Sequence, residues 1–318
     1  MSAPGVAPPR AGRRRRIVLV VFGLGALLLL VLAGSFLARP FWWFERLGKA
    51  ALRSAGLGRT TIAGPRGPIA VWRGGQGPTL LLLHGSNDQA GGFARVAGPL
   101  AKRHRLVVPD LPGHGESAPV DGPLSVADLV AGVEAVAAAE PQGARLTLVG
   151  NSLGGYLALV YALRHPERVE QVVLVNGGAI RAAPGVEISL LPKTRDEARA
   201  ALDALTAPET PRAAGFVLDD LVRRAPGSPL ARMLAAPVDA SLVLDDRLGE
   251  IRVPVTLIWG EADRYMPVSY AEAVESRLPA ARLETLAGCG HVPQRECPER
   301  LLEALARAFA APPKATAE

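Results

Sequence analysis

Residues 17–38 form a 22-residue stretch without a charge, and after it the chain settles into short apolar runs alternating with longer helical patterns. The first stretch is long enough to cross a hydrocarbon core of about 30 Å as a helix rising roughly 1.5 Å per residue. Arg13–Arg16 abut its start, and Phe41, Trp42, Trp43 and Phe44 follow its end, where aromatic rings settle among lipid headgroups. An uncleaved anchor is the reading we carry forward. Its competitor is a cleaved signal peptide, with Val31-Leu32-Ala33 as the small-residue site. Residues 41–58 read as a partly amphipathic interfacial helix leading into a domain.

From residue 60 the runs are strand-like. "IAVWRG" (69–74), "PTLLLLHG" (78–85), "RLVVPD" (105–110), "ARLTLVGN" (144–151), "VEQVVLVNGG" (169–178) and "VPVTLIWGEAD" (253–263) each predict a strand, and "ARLETLAGCGH" (281–291) contains the last. Helical patterns at "LGGYLALVYALRH" (153–165) and "CPERLLEALARAFA" (297–310) alternate with them, which predicts a largely parallel α/β sheet. Residues 179–250 interrupt the alternation with three helical patterns. One is opened by Thr194 with Glu197 three residues on, and the last by Ser228 and Pro229. A helical insertion between strands is a lid-like element. The organisation is therefore a basic tail (1–16), an anchor (17–38), an interfacial helix and linker (39–66), an α/β domain (67–311) with its insertion at about 179–250, and a tail (312–318).

Charge changes this picture in one respect. The net charge of +6 would suit nucleic acid, but residues 1–66 hold 11 basic residues against Glu45 alone, leaving 25 basic and 29 acidic residues in the remainder. The domain is mildly acidic, and a basic groove with interleaved aromatics is missing, which argues against a nucleic-acid partner. The arginine block places the N-terminus inside and the domain outside the cytoplasm, although Arg39, Arg46, Lys49 and Arg53 after the span reduce the bias. Secretion after cleavage is the alternative. Cys289 and Cys297 lack metal-site spacing; they read as two unpaired small residues, with pairing open to them in an oxidising compartment.

Within "LVGNSLGGY" (148–156), Ser152 lies between a buried strand and a helix, in the pattern Gly150-x-Ser152-x-Gly154. The tight turn holds the serine in strained geometry, and the helix N-terminus behind it favours developing negative charge. A serine needs a base, and His291 stands out among five histidines because it follows the last strand in a glycine-rich loop. The base needs an acid: Asp263, just past "VTLIWG", is the candidate, with Glu261 second and Asp245 and Asp246 assigned to the insertion. The oxyanion donors would be the amides of Leu153 and Ser86. Phe216, Val217, Leu221 and Met233 are candidates to line a substrate pocket, with ordinary packing against the core the favoured role for any one of them.

On the segments "LLLLHGSND", "VVPDLPGHGES", "LVGNSLGGYLALVYALRHPERV", "LIWGEADRYMP" and "LAGCGHVPQRECPE", residues 68 to 311 resemble the α/β-hydrolase superfamily. The anchor, "GNSLGG" and the insertion further resemble membrane-anchored monoacylglycerol-lipase-like hydrolases and their bacterial relatives. The resemblance implies an α/β-hydrolase fold: a mostly parallel eight-stranded sheet flanked by helices under a helical lid. It implies ester hydrolysis through an acyl-serine intermediate, with neither metal nor organic cofactor. Ser152 at the nucleophile position argues against epoxide hydrolases and haloalkane dehalogenases, which carry Asp there. Expected partners are an ester or lipid substrate and the bilayer. The alternatives are a carbon–carbon bond hydrolase of the same fold and a non-catalytic scaffold.

Overall fold

The computed structural model describes residues 11–181, 185–237 and 239–312. The residues before 11 and after 312 lie outside the described residues, as do the side chains of Arg13–Arg16. Helix α1 (Ala11–Ala38) carries the uncharged stretch; its most apolar 18-residue window has a mean hydropathy of 3.0, and no residue of that window is buried. It is long and apolar enough to cross a membrane. Helix α2 (Pro40–Ser54) follows after the single residue Arg39, with proline in its first turn, where a missing N–H costs nothing.

The chain then runs through β1 (Gly58–Gly64), β2 (Gly67–Gly74), β3 (Thr79–Leu83), α3 (Ala94–Ala101), β4 (Arg105–Pro109), α4 (Val126–Ala138), β5 (Leu146–Asn151), α5 (Leu153–Arg164) and β6 (Val169–Val175). The insertion carries α6 (Arg195–Leu205), α7 (Gly215–Arg224) and α8 (Pro229–Leu234). After it come β7 (Val255–Gly260), α9 (Val268–Glu275), β8 (Ala281–Leu286), α10 (Pro293–Glu296) and α11 (Pro298–Ala310). The eight strands lie in the order β1-β2-β4-β3-β5-β6-β7-β8; β2 is antiparallel to both its neighbours, and the strands from β4 onward are parallel.

Successive strand residues point to opposite faces, so an unbroken apolar run means burial on both. In β3, Leu81 and Leu83 join the core beneath α4, α5 and α9, while Leu80 and Leu82 join the one beneath α2, α3 and α11. All four are at most 1% exposed, each contributing about 1.5–3 kcal/mol by burial.

Three features depart from the sequence reading. Residues 58–64, placed in the linker, form edge strand β1. The helix expected over 41–58 ends at Ser54 and packs on the domain: Leu52 is fully buried, and the Lys49 ammonium reaches Glu116 at 3.1 Å and buried Asp110 at 3.7 Å. The two cysteines, read as unpaired, form a disulfide. The turn at Gly288 (φ +66°) and the short α10 fold the loop back on itself, bringing the two Cα atoms to 6.0 Å.

Candidate active site

Three non-glycine residues among those described have positive φ: Asn87 (+60°), Ser152 (+52°) and Asn176 (+44°). Each lies just past the end of a parallel strand, at the sheet's C-terminal edge. Such conformations cost about 1–3 kcal/mol each and persist only where neighbours hold them. Ser152 is held because β5 turns straight into α5: its N–H donates to Asn176 O at 3.1 Å, and its carbonyl accepts from Gly155 and Gly178. The turn is tight enough that a Cβ at Gly150 would overlap the Gly154 carbonyl, and one at Gly154 would overlap that of Leu83.

Asp263, after β7, is 1% exposed, and its Oδ2 lies 2.6 Å from His291 Nδ1. The same oxygen accepts from Asn176 Nδ2 at 2.7 Å, while Oδ1 accepts the Tyr265 and Met266 amides at 3.1 and 2.9 Å. Those donors orient the carboxylate towards the imidazole and satisfy its charge out of water. Glu261, two residues earlier, is exposed and accepts from Thr285 Oγ1, away from the histidine. His291 is 5% exposed, and its loop is pinned to the serine elbow through Asn151. The Asn151 carboxamide donates to His291 O at 2.9 Å and to Val175 O at 2.8 Å, and accepts from Gln294 Nε2 at 3.0 Å. Ser152 Oγ is not hydrogen-bonded to His291 in the structure; such bonds commonly tighten only around a bound substrate.

The turn after β3 faces the serine: a Cβ at Gly85 would sit 3.2 Å from Ser152 Cβ. His84 braces this turn, with Nδ1 donating to Gly85 O at 2.8 Å and Nε2 accepting the Leu111 N–H at 2.9 Å. Burial holds its imidazole below the ordinary pKa, in keeping with that neutral tautomer. The amides of Ser86 and Leu153 donate to no other group among the described residues.

A cavity of about 450 Å³ opens beside Ser152, Ser86 and Leu153, within the usual range for small-molecule sites. Its walls are chiefly apolar, with Tyr156, Ile180, Leu230, Leu242 and Met266 prominent. Burial raises the Tyr156 hydroxyl to about 12, and the phenol donates to Leu242 O, tying α5 to the insertion. Of the four pocket candidates, Met233 lines this cavity. Phe216, Val217 and Leu221 do not, because α7 faces the other way: the Phe216 ring lies 5.7 Å from that of Phe36 on α1, and Leu221 borders a second cavity. Asp245, assigned to the insertion, does reach the cavity wall, where it accepts the Arg181 N–H at 3.0 Å.

Asn151, Asn176 and Gln294 were missed as positioning residues. The signal was there for two of them: an asparagine directly after a buried apolar strand, followed within two residues by glycine or serine, is a polar group forced into the interior.

Residues 80–304 match the model of the family described as Alpha/beta hydrolase family. The pimeloyl-[acyl-carrier protein] methyl ester esterase of Nitrosomonas europaea is 32% identical over 243 residues, covering 72% of this chain and 94% of that protein. The 2-hydroxy-6-oxononadienedioate/2-hydroxy-6-oxononatrienedioate hydrolase of Cupriavidus pinatubonensis is 31% identical over 236 residues, covering 69% of this chain and 82% of that protein. Among solved structures, a membrane phospholipase A described as a bacterial virulence factor superposes with a TM-score of 0.71 at 28% identity, covering 91% of this chain and 97% of that one.

Proposed function

The chain belongs to the alpha/beta hydrolase family and is a hydrolase, and from that premise we propose that it cleaves carboxylic esters of lipid-like substrates through Ser152, His291 and Asp263. The observation that carries this reading is the buried His291–Asp263 pair at 2.6 Å, in a loop pinned to the strained Ser152 elbow, beside an apolar cavity.

The chemistry follows from the geometry. His291 Nε2 takes the proton from Ser152 Oγ as the oxygen adds to the ester carbonyl. Asp263 holds Nδ1–H and stabilises the imidazolium. The oxyanion is met by the free amides of Ser86 and Leu153, the second at the positive end of α5. His291 then gives its proton to the departing alcohol, and water repeats the sequence to release the acid.

The apolar α1 supports a membrane lipid as substrate, and the membrane phospholipase A likeness points the same way. The Cys289–Cys297 bond, together with the Arg13–Arg16 block, supports an anchored domain on the oxidising side of the membrane.

A second reading, carbon–carbon hydrolysis, draws support from the dienedioate hydrolase relative. Its substrate carries two carboxylates by name, whereas this cavity presents two carboxylates of its own, Asp239 and Asp245, against Arg181. That charge pattern favours an uncharged acyl group.

The test is hydrolysis by the full chain in detergent of esters from p-nitrophenyl butyrate to long-chain glycerolipids, with a dienedioate beside them. Ester turnover that falls by at least about 10⁴-fold in Ser152→Ala supports the reading. Turnover of the dienedioate alone promotes the second one.

A further inference from the structure

The cavity at Ser152 shares a wall with another. A second cavity of about 440 Å³ lies between the start of α2, the end of α7, the start of α8 and the turns around residues 87–89 and 113–115. Helix α8 divides the two: Leu230, Met233 and Leu234 face the first, Ser228, Pro229 and Arg232 the second. Leu190 borders both. The division continues into the oxyanion turn, where Ser86 lines the first cavity and Asn87 the second. Asn87 Oδ1 accepts the Leu230 N–H at 3.1 Å, fastening the partition to the turn.

This arrangement gives an ester a direction. With its carbonyl oxygen at the Ser86 and Leu153 amides and its acyl chain in the apolar cavity, its alcohol part would be directed towards the border with the second, which Leu190 shares and Asn87 lines on the far side. That cavity is polar and carries Arg223, Arg224 and Arg232 against Glu45 and Asp88. Asp88 is paired with Arg295, Glu45 with Arg224, and Arg223 with the buried Asp220. Arg232 has no carboxylate partner among the described residues; its guanidinium donates to the carbonyls of Gly113, Pro119, Asp121 and Gly122. It is thus held by backbone carbonyls and not neutralised by a carboxylate, and the Arg223 and Arg224 side chains remain about half exposed at the cavity wall. The site also lies close to the end of α1: Phe41, three residues beyond Ala38, lines it, and Arg223 donates to Ala38 O. With α1 in a bilayer, that is the depth of the headgroups.

We propose that the second cavity is a subsite for the phosphate-bearing alcohol portion of an acylglycerophospholipid, with Arg232 supplying the standing positive charge and Arg223 and Arg224 the reachable guanidinium groups. The proposal rests on the ester-hydrolase reading above and names its substrate class. The acyl carbon–oxygen bond breaks, the glycerol oxygen leaves with the proton from His291, water supplies the new acid oxygen, and the phosphate ester bonds stay intact.

The experiment compares kcat/KM of the full chain in mixed micelles for 1-palmitoyl-lysophosphatidylglycerol and 1-monopalmitoylglycerol, which share an acyl chain. The phosphate-bearing lipid is preferred by about tenfold or more, as charge-assisted pairing allows. Arg223→Gln/Arg224→Gln lowers that ratio about tenfold, and the double lysine variant recovers part of it. Independently of any variant, sn-glycerol 3-phosphate inhibits p-nitrophenyl butyrate hydrolysis competitively and glycerol does not. Equal turnover of the two lipids in the unmodified chain, with no inhibition by glycerol 3-phosphate, overturns the subsite while leaving ester hydrolysis standing. A ratio unchanged in a folded Gln double variant also overturns it. Silence on every ester overturns both readings together.

Discussion

Asp263 and Glu261 are two residues apart, and only the fold separates them. Asp263 accepts from Asn176 and from two backbone amides while facing His291; Glu261 faces solvent. Asp263→Asn keeps the shape but favours the wrong imidazole tautomer, so kcat falls by about 10³–10⁴-fold, whereas Glu261→Gln leaves it within about twofold. Steady-state rates on one soluble ester check both, and equal losses would return the acid role to Glu261. The pairing was readable from chain order and from the strand before each residue. That Asn176 is buried was readable too, but not its partner, because one asparagine in "VNGG" says nothing of a carboxylate 87 positions away until the strands align. Burial lowers His114 to about 3, its ring packed against His84 with Nδ1 donating to Pro112 O. His84 is lowered by burial as well. The unfolded chain takes up these protons first, so stability is flat above the ordinary value of 6.5 and is lost as pH falls from there towards about 3. For His114 the slope reaches about 1.4 kcal/mol per pH unit, and His84 acts in the same direction. Urea midpoints at pH 7 and 5 read this out, and His114→Gln shows the smaller difference between the two.

Elements carried by unbroken apolar runs were easy to read, and those without them were not. Strands β3, β5, β6 and β7 are buried along their whole length apart from one exposed residue in β6, so burial wrote itself into their composition. Strand β1, "GRTTIAG", lies at the sheet edge with most positions exposed and shows no alternation to detect. Helix α7 is legible as a helix but its facing is not: the apolar residues Phe216 and Leu221 could serve a pocket or packing, and the fold turns Phe216 to α1 and Leu221 to the second cavity. Which neighbour a helix stripe serves is a property of packing, not of the stripe. The disulfide was hidden for a similar reason, since a separation of 8 residues allows a bond only if the intervening loop doubles back. That loop carries His291, the proposed base, so Cys297→Ser loosens it as well as the backbone. The expected loss is about 2–3 kcal/mol of stability for a loop this short, with a fall in kcat exceeding any change in KM. Denaturation and ester kinetics of the variant, with unmodified protein in reductant as companion, decide whether the bond serves the base or only the fold.

The chain as a whole is arranged so that the membrane-length helix, the insertion and the core meet at α2. Its inner side is buried in the core through Leu52 and Lys49, while near its start Asp220 of α7 accepts the Phe41 N–H at 3.1 Å and Arg224 pairs with Glu45. An interfacial helix that merely rested on lipid would leave Asp110 without a counter-ion; this one supplies it, so α2 is part of the folded domain although the sequence places it outside. Two truncations separate these views. A chain beginning at residue 40 keeps α2, β1 and the Lys49 contacts, and unfolds within about 1 kcal/mol of the full chain in the same detergent. One beginning at residue 67 uncovers the β2 edge, exposes the core under Leu52 and strands Asp110, whose lost partner alone costs about 3–5 kcal/mol. It is expected to be insoluble or to unfold at a much lower urea concentration. Equal stability of the two would make α2 a tether. If α1 is the anchor and phospholipid the substrate, as proposed, then with α2 integral and α1 removed turnover of p-nitrophenyl butyrate is preserved while hydrolysis of phospholipid in vesicles falls, because the anchor would hold the site at the surface where that substrate is concentrated.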